Sequence, residues 1–223
     1  MMPLLDEKTR SDVATLLEEM DNQVKVVVFT QAFECQYCKE TREIVEEIAA
    51  LSDQIVVEVL DFEADRDRAE TYRVDKIPAI VMLGEDDQDY GVRFYGIPSG
   101  YEFSSLIHDI KAVAAGPTAS ELSPETLAYL DALEHDIHLQ VFVTPTCPYC
   151  PRAVVIAHAM AIASDRVRAD MVEATEFPHL SMKYNVMGVP RTVINETEFV
   201  EGAAPEPMLL GKVQAALNSR QPA

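Results

Sequence analysis

The sequence predicts an α/β sandwich that is built from two copies of one unit. Two C-x-x-C pairs, Cys35–Cys38 and Cys147–Cys150, contain all four cysteines of the 223 residues. Each pair lies between an apolar, β-like segment and a helical segment, and each is followed by an apolar residue and a proline. A single offset of 112 residues joins the first pair to the second and also joins Pro78 to Pro190. Such a fixed offset indicates an internal repeat.

The first predicted unit alternates helices with strands and then ends in a hairpin and a helix. Its elements are a helix at 6–20, a strand at 24–30, a helix at 40–51, a strand at 55–62, a short helix at 66–73, strands at 79–83 and 92–95, and a helix at 101–115. Gly116 and Pro117 end the last helix. We therefore divide the chain into units at 1–117 and 118–223.

The second predicted unit repeats this order. Its elements are a helix at 124–134, a strand at 139–144, a helix from the second cysteine pair to 163, a strand at 167–172, a short helix at 179–184, strands at 192–194 and 198–200, and a helix at 207–217. Each unit leaves one edge of its sheet uncovered, and an uncovered edge exposes unpaired backbone groups. We therefore expect the two units to join edge to edge into one sheet.

Composition excludes several classes of partner. The net charge is −20, from 38 acidic and 18 basic residues, which argues against nucleic acid and anionic membranes. No apolar run reaches the roughly 18 residues that a membrane helix needs. Residues 1–10 lack the layout of a secretory signal, so we expect a cytoplasmic protein. Four cysteines are also too few for a disulfide-stapled secreted scaffold.

A C-x-x-C pair at the start of a helix is suited to disulfide exchange. Residues i and i+3 share one helical face, which brings the two sulfurs within bonding reach. The amides of the first turn and the helix dipole stabilise an anion there, so they lower the pKa of the first thiol. We therefore assign Cys35 and Cys147 as nucleophiles and Cys38 and Cys150 as resolving thiols.

The two prolines fit the same chemistry. A cis X-Pro bond opposite the cysteines would leave the backbone groups of the preceding residue free to pair with an extended substrate. These preceding residues are Ile77, before Pro78, and Val189, before Pro190. The alternative is an ordinary trans-proline that opens a strand. We assign all four residues to substrate binding.

A family resemblance supports this interpretation. C-P-Y-C between a strand and a helix, with Gly-Val-Pro at 188–190, resembles the active site of glutaredoxin and thioredoxin. The doubled arrangement, C-Q-Y-C and then C-P-Y-C, is similar to the glutaredoxin-like protein disulfide oxidoreductases of archaea and bacteria, and residues 94–100 also resemble the end of their first unit. The resemblance covers nearly the whole chain.

The resemblance implies a tandem pair of thioredoxin-like folds, with mixed sheets flanked by helices. It also implies exchange with protein substrates that carry disulfides or dithiols, in which disulfides are reduced, formed or isomerised. The implied reducing partner is a flavoprotein that resembles thioredoxin reductase. Tyr37 and Tyr149, between the cysteines, would line the rims of the two sites, although simple packing would also account for them.

One departure from thioredoxin concerns the proton acceptor. Thioredoxin has a buried Asp six residues before its first cysteine, where this chain has Phe29 and Val141. Glu58 and Asp170 are candidate replacements, since each is an acid within an otherwise apolar strand. The alternative is that both face solvent at a sheet edge.

Flanking charges predict that the two sites differ. Glu34 and Glu40 disfavour a thiolate at Cys35, whereas Arg152 favours one at Cys147. We therefore expect Cys147 to have the lower pKa and to react faster. The methionines at 160, 182 and 187 are interpreted as core residues.

Two other functions are considered. The two pairs could together hold one zinc ion or iron–sulfur cluster without exchange activity. Because each pair lies in its own copy of the unit, we expect no metal and no cofactor beyond the redox-active disulfides. A narrower redox alternative is a dedicated dithiol donor to a peroxiredoxin, as in the doubled thioredoxin-fold region of peroxiredoxin reductases.

Overall fold

The computed structural model describes residues 3–218, so the outer ends of the two predicted units, residues 1–2 and 219–223, lie outside the described residues. The first unit comprises α1 (Glu7–Leu17), β1 (Val24–Thr30), α2 (Cys38–Ala49), β2 (Ile55–Asp61), α3 (Arg66–Thr71), β3 (Ala79–Leu83), β4 (Asp89–Tyr95) and α4 (Glu102–Ala115). The second comprises α5 (Pro124–Asp131), β5 (Ile137–Val143), α6 (Cys150–Ala163), β6 (Val167–Glu173), α7 (Pro178–Lys183), β7 (Arg191–Ile194), β8 (Glu198–Glu201) and α8 (Glu206–Asn218).

The order of elements agrees with the sequence prediction, and the differences lie at element ends. Strand β4 begins three residues earlier than predicted, at Asp89, because Asp89 pairs with Leu83 beyond an irregularity in the β3–β4 register. Helix α2 begins at Cys38 rather than at residue 40, so the resolving cysteine is its first residue. Ser123 caps α5 by accepting a hydrogen bond from the N–H of Thr126.

All eight described strands form one mixed sheet in the order β2-β1-β3-β4-β6-β5-β7-β8. The units meet where β4 pairs in parallel with β6, with Val92 opposite Ala169 and Tyr95 opposite Val172. The expectation that the two units join edge to edge is therefore confirmed. This pairing leaves β2 and β8 as the two outer edges of the sheet.

Apolar side chains cover both faces of the sheet. Val26 and Val28 of β1 belong to a core that also contains residues of α2, α4 and α6. Val27 and Phe29 point to the opposite face and pack in a second core with residues of α3. This alternation follows from the two-residue period of a strand, and it explains why β1 is apolar at nearly every position. None of the helices within residues 3–218 is long and apolar enough to cross a membrane.

The direction of the strands places both cysteine pairs along the side of the sheet where its parallel strands end. Strands β1, β2, β4, β5 and β6 run in one direction, so their C-terminal ends lie together. The cysteine loops follow β1 and β5, which are four steps apart in the strand order. At about 4.8 Å per step, the ends of β1 and β5 are separated by roughly 19 Å.

The two units also contact each other at this edge through Gly100. The N–H of Tyr101 donates to the carbonyl of Pro145, in the loop that leads from β5 to Cys147. Gly100 has a φ of +61°, and a Cβ atom there would lie 2.1 Å from the Pro145 carbonyl oxygen. Only glycine fits this close approach between the units.

We therefore expect Gly100→Ala to lower the free energy of unfolding by about 2 kcal/mol or more, since it adds a steric clash to an unfavourable φ. Denaturant unfolding of the full chain measures this loss. Gly211→Ala is the matched control, because Gly211 lies in α8 with open space around its Cα. It should raise stability by about 0.5–1 kcal/mol. Equal effects of the two substitutions would contradict a tight contact at Gly100.

Candidate active site: two cysteine pairs at one edge of the sheet

Both cysteine pairs are closed as disulfides in the same local geometry. Cys35–Cys38 and Cys147–Cys150 each have a Cα–Cα distance of 5.5 Å. In each pair, the first cysteine lies in the loop after a strand and the second is the first residue of a helix. The arrangement therefore places the first sulfur near the unpaired amides of a helix N-terminus, which stabilise a thiolate once the disulfide is reduced.

Burial separates the two cysteines of the first pair, whereas both cysteines of the second pair are buried. Cys38 and Cys150 are buried, with 1% and 0% of their surface exposed. Cys35 is half-buried, whereas Cys147 is only 7% exposed. A buried second cysteine suits the role of resolving thiol, because only the first must reach a substrate sulfur.

The two predicted prolines have the same backbone geometry and the same kind of hydrogen-bond partner. Both the Ile77–Pro78 and the Val189–Pro190 bonds are cis. The Pro78 carbonyl accepts a hydrogen bond from Gly96 at 2.9 Å, and the Pro190 carbonyl accepts one from Gly202 at 2.8 Å. Within the described residues, the backbone N–H and C=O groups of Ile77 and Val189 have no hydrogen-bond partner.

A groove of about 360 Å³ lies beside the second pair. Its lining residues are Pro148, Tyr149, Arg152, Val189, Pro190, Gly202 and Ala203. Tyr149 is 70% exposed and lines this groove. Tyr37, its counterpart in the first unit, is half-buried and directly precedes α2.

The methionines around the second site correct one sequence expectation. Met160 is buried in the core, as expected, but Met182 and Met187 are 77% and 84% exposed. Both precede Pro190, with Met182 at the end of α7 and Met187 in the loop that follows. Together with Tyr149 they are the three most exposed large apolar side chains of the described residues. Apolar side chains this exposed and flexible are suited to contacts with varied protein surfaces.

Asp170 is buried, so the alternative that it faces solvent at a sheet edge is wrong. It lies on β6, which is an interior strand because β4 pairs with it. Its carboxylate contacts His138 Nε2 at 2.6 Å and Arg168 Nε at 3.3 Å. Burial alone would raise the pKa of Asp170, but its contacts with His138 and Arg168 hold it well below its usual range. Such a carboxylate is a poor proton acceptor at neutral pH.

Glu58 lies on the outer strand β2 and is half-buried. It accepts two hydrogen bonds from Arg68, at 3.0 and 2.9 Å. Glu58 is paired with Val27, and Val27 faces the core beneath α3. The structure therefore places Glu58, like Asp170, on the sheet face opposite the helices that begin with Cys38 and Cys150.

A different carboxyl group, Glu102, is buried at the start of α4, a position that the sequence does not indicate. Glu102 is 1% exposed and is the first residue of α4, directly after the Tyr101 that contacts the Pro145 loop. The Ser105 hydroxyl donates to one carboxylate oxygen at 2.7 Å, and the other oxygen has no partner within the described residues. Burial raises the pKa of Glu102 to about 7.

A second unpredicted carboxyl group, Glu176, joins the two units. Its Oε1 atom accepts a hydrogen bond of 2.6 Å from the N–H of Ile97 in the first unit. Burial raises the pKa of Glu176 to about 7, and the neighbouring Glu173 carboxylate adds to this shift. No signal in either repeat marks these two acids, because both positions depend on how the units pack together.

The charged groups beside the two pairs have opposite signs, as the sequence indicates. Arg152 is exposed and has no carboxylate partner within residues 3–218. Its repeat equivalent is Glu40, which is half-buried and has one carboxylate oxygen, Oε2, without a hydrogen-bond partner. Within the same residues, no group of three or more His, Cys, Asp or Glu side chains is arranged to hold a metal ion. At roughly 19 Å between strand ends, the two pairs are also too far apart to share one metal site.

Comparisons with known proteins agree with the fold and with the pairs of cysteines. A thioredoxin domain model matches residues 137–214. A protein disulfide oxidoreductase from Aeropyrum pernix K1 superposes with a TM-score of 0.89 at 30% identity, over 99% of this chain and 97% of that chain. An alkylhydroperoxide reductase component from Enterococcus faecalis has the same fold, with a TM-score of 0.84 at 24% identity, over 94% of this chain and 99% of that chain.

Relatives found by sequence comparison include components of alkyl hydroperoxide reductases. A component of the alkyl hydroperoxide reductase of Pseudomonas putida is 27% identical over 218 residues, which are 98% of this chain and 39% of the relative. The chain thus spans about two fifths of the length of the curated relatives that it matches.

The opposite charges at Arg152 and Glu40 predict a lower pKa for Cys147 than for Cys35. Each cysteine is followed in a variant whose other pair is replaced by serine, and the pH midpoint of iodoacetamide alkylation gives the thiol pKa. The midpoint separates the pKa from the smaller exposure of Cys147, which also slows alkylation.

Exchanging the two charges should reverse the order. Arg152→Glu should slow alkylation of Cys147 at neutral pH by roughly threefold to tenfold, and Glu40→Arg should speed that of Cys35 by a similar factor. A lower midpoint for Cys35 in the unexchanged chain would refute the prediction.

Proposed function

Because this chain belongs to the protein disulfide oxidoreductase family, we propose that its second cysteine pair exchanges disulfides with protein substrates bound in the groove beside Val189 and Pro190. The chain is a thiol–disulfide oxidoreductase with two C-x-x-C sites. Beyond this activity, we propose which substrates the chain exchanges with, which role each residue has and which partner reduces the cysteines.

The free backbone groups of Val189 support the proposal most directly. The unpaired N–H and C=O groups of Val189 lie in the same groove as the turn that links Cys147 to Cys150. An extended peptide can add its own backbone hydrogen bonds to such free groups, as a strand adds to a sheet edge. A substrate disulfide in that peptide would then lie beside the nucleophilic sulfur. Exposed Tyr149 and Met187 supply adaptable apolar contacts to the flanking residues.

The exchange takes place in two displacement steps. The Cys147 thiolate attacks one substrate sulfur, the substrate S–S bond breaks, and the other substrate sulfur leaves as a thiolate. Cys150 then loses its proton and attacks Cys147 Sγ, so that the mixed disulfide breaks and the second substrate thiolate leaves. The substrate gains two electrons, and the pair ends as the disulfide that the structure contains. The reverse sequence oxidises a substrate dithiol.

Glu102 is a better candidate than Asp170 or Glu58 for the acceptor of the Cys150 proton. Glu102 and Cys150 are the first residues of α4 and α6, and these helices pack side by side from the same edge of the sheet. A pKa of about 7 allows the carboxylate to take up a proton at neutral pH, whereas the pKa of Asp170 is too low. Glu102 of the first unit thereby takes the role that the buried Asp has in thioredoxin.

The oxidised pairs need an external electron source for each reductive cycle. We propose a flavoprotein that resembles thioredoxin reductase, with protein disulfides as the substrates and no cofactor beyond the cysteines. A second candidate function is dithiol donor to a peroxiredoxin. The relatives named as components of alkyl hydroperoxide reductase favour it, because their matched segments cover almost all of this chain.

Serine variants test the proposed function. Replacing Cys147 and Cys150 by serine should lower the single-turnover rate of insulin reduction by about tenfold or more, because the second site holds the open groove. Replacing Cys35 and Cys38 should leave about half of the rate or more. A coupled assay with a peroxiredoxin in place of insulin separates the two candidate functions. Equal losses in both serine variants would overturn the assignment of protein substrates to the second site.

Glu102→Gln tests the proton acceptor. Loss of the acceptor should slow insulin reduction at neutral pH by up to about a hundredfold. Glu102 has its pKa raised on folding, so the folded state binds more protons than the unfolded state between about pH 4.3 and pH 7. The stability of the unmodified chain therefore falls as pH rises through that window.

Glu102→Gln removes this contribution, so the stability of the variant relative to the unmodified chain should rise with pH by about 3 kcal/mol. Denaturant unfolding at several pH values measures the difference. A stability gain without any loss of rate would show that Glu102 does not accept the proton.

A further inference from the structure

The backbone that pairs with each cis-proline is alike in the two units, but its surroundings differ. In the second unit, Gly202 donates to Pro190 and the next residue, Ala203, lines the open groove. The N–H of Ala203 has no hydrogen-bond partner within the described residues. In the first unit, Gly96 donates to Pro78 in the same way, so Ile97 is the counterpart of Ala203.

Glu176 of the second unit covers the corresponding backbone of the first unit, which we call the Gly96–Ile97 wall. Its Oε1 atom accepts a hydrogen bond from the N–H of Ile97 at 2.6 Å. A Cβ atom added at Gly96 would lie 2.6 Å from the Cβ of Glu173 and 2.7 Å from Glu176 Oε1, whereas one added at Gly202 would meet nothing within 4 Å. Gly96 is buried and Gly202 is exposed. The second unit therefore covers the backbone of Gly96 beside Pro78, whereas the corresponding backbone beside Pro190 lines an open groove.

We infer that Glu176 is a specificity-determining residue, which withholds the Ile97 N–H from extended protein substrates and restricts the first site to small disulfides. The inference rests on the proposed function, in which a peptide pairs with free backbone groups of the groove. An extended substrate at the first site can still form hydrogen bonds with the backbone of Ile77, but it cannot use the backbone wall formed by Gly96 and Ile97. A small disulfide needs only access to Cys35, which is half-buried, so the carboxylate does not exclude it.

Two substitutions distinguish the effect of the hydrogen bond from Ile97 from the effect of the Glu176 charge. Glu176→Ala removes the side chain from the wall and frees the Ile97 N–H. Glu176→Gln keeps the size and an oxygen that accepts the same hydrogen bond, so it should keep the wall covered. Both are made in the full chain with Cys147 and Cys150 replaced by serine, which leaves the first site as the only exchanging pair.

The reduced variants are mixed with insulin or with hydroxyethyl disulfide in a single turnover, so that no reducing partner is needed. We expect Glu176→Ala to raise the insulin rate by roughly twofold to tenfold, the range that one peptide hydrogen bond is worth, and to leave the hydroxyethyl disulfide rate unchanged. Glu176→Gln should change neither rate. Amide hydrogen exchange at Ile97 should become faster in the alanine variant alone, which shows that the wall is open, while the unchanged hydroxyethyl disulfide rate shows that the site is still folded.

The matched control carries Glu176→Ala with Cys35 and Cys38 replaced by serine, and its insulin rate should equal that of the second site alone. An unchanged ratio of insulin to hydroxyethyl disulfide rates in the folded alanine variant would overturn the inference, and so would an equal gain in Glu176→Gln. If the first site fails to react even with hydroxyethyl disulfide, the proposed exchange at that site fails as well. Failure of the inference about Glu176 can therefore be distinguished from failure of the proposed exchange reaction.

Discussion

The parallel pairing of β4 with β6 is the constraint on which the rest of the structure depends. It converts two exposed strand edges into interior hydrogen bonds and so joins the units into one sheet. It also aligns the strands so that both cysteine loops leave the same edge. The contact between Gly100 and Pro145 follows from this alignment, as do the packing of α4 on α6 and the bond from Ile97 to Glu176.

The same pairing makes the two repeats chemically unequal. In each repeat, the strand after the C-x-x-C helix would be an edge strand of the isolated unit. The tandem arrangement covers β6 but leaves β2 outside, so Asp170 is buried while Glu58 remains at an edge. It likewise covers Gly96 but leaves Gly202 open. Equivalent residues thus have different environments although the sequence repeat treats them alike.

Local patterns were enough to predict most of the fold. The β-branched run at 24–30 and the fixed offset between the cysteines and the prolines predict the elements and their repetition, because these signals depend on neighbouring residues. The burial of Glu102 and the contact of Glu176 depend on residues that come together only across the join between units. The exposure of Met182 and Met187 was also missed, since apolar residues near a short helix normally indicate a core.

The geometry of the join also decides whether the two pairs can exchange electrons directly. Disulfide exchange needs sulfurs within bonding reach, about 2 Å, whereas the strands that lead to the two loops are four sheet positions apart. Both loops are short, and each is held at its far end by a helix that begins with Cys38 or Cys150, so neither can cross the sheet edge to the other. With the sheet intact, the two pairs of one molecule are therefore too far apart to exchange directly. Under the substrate specificities that we propose, two such separate sites let one chain serve two kinds of thiol partner at the same time, which a single site cannot do.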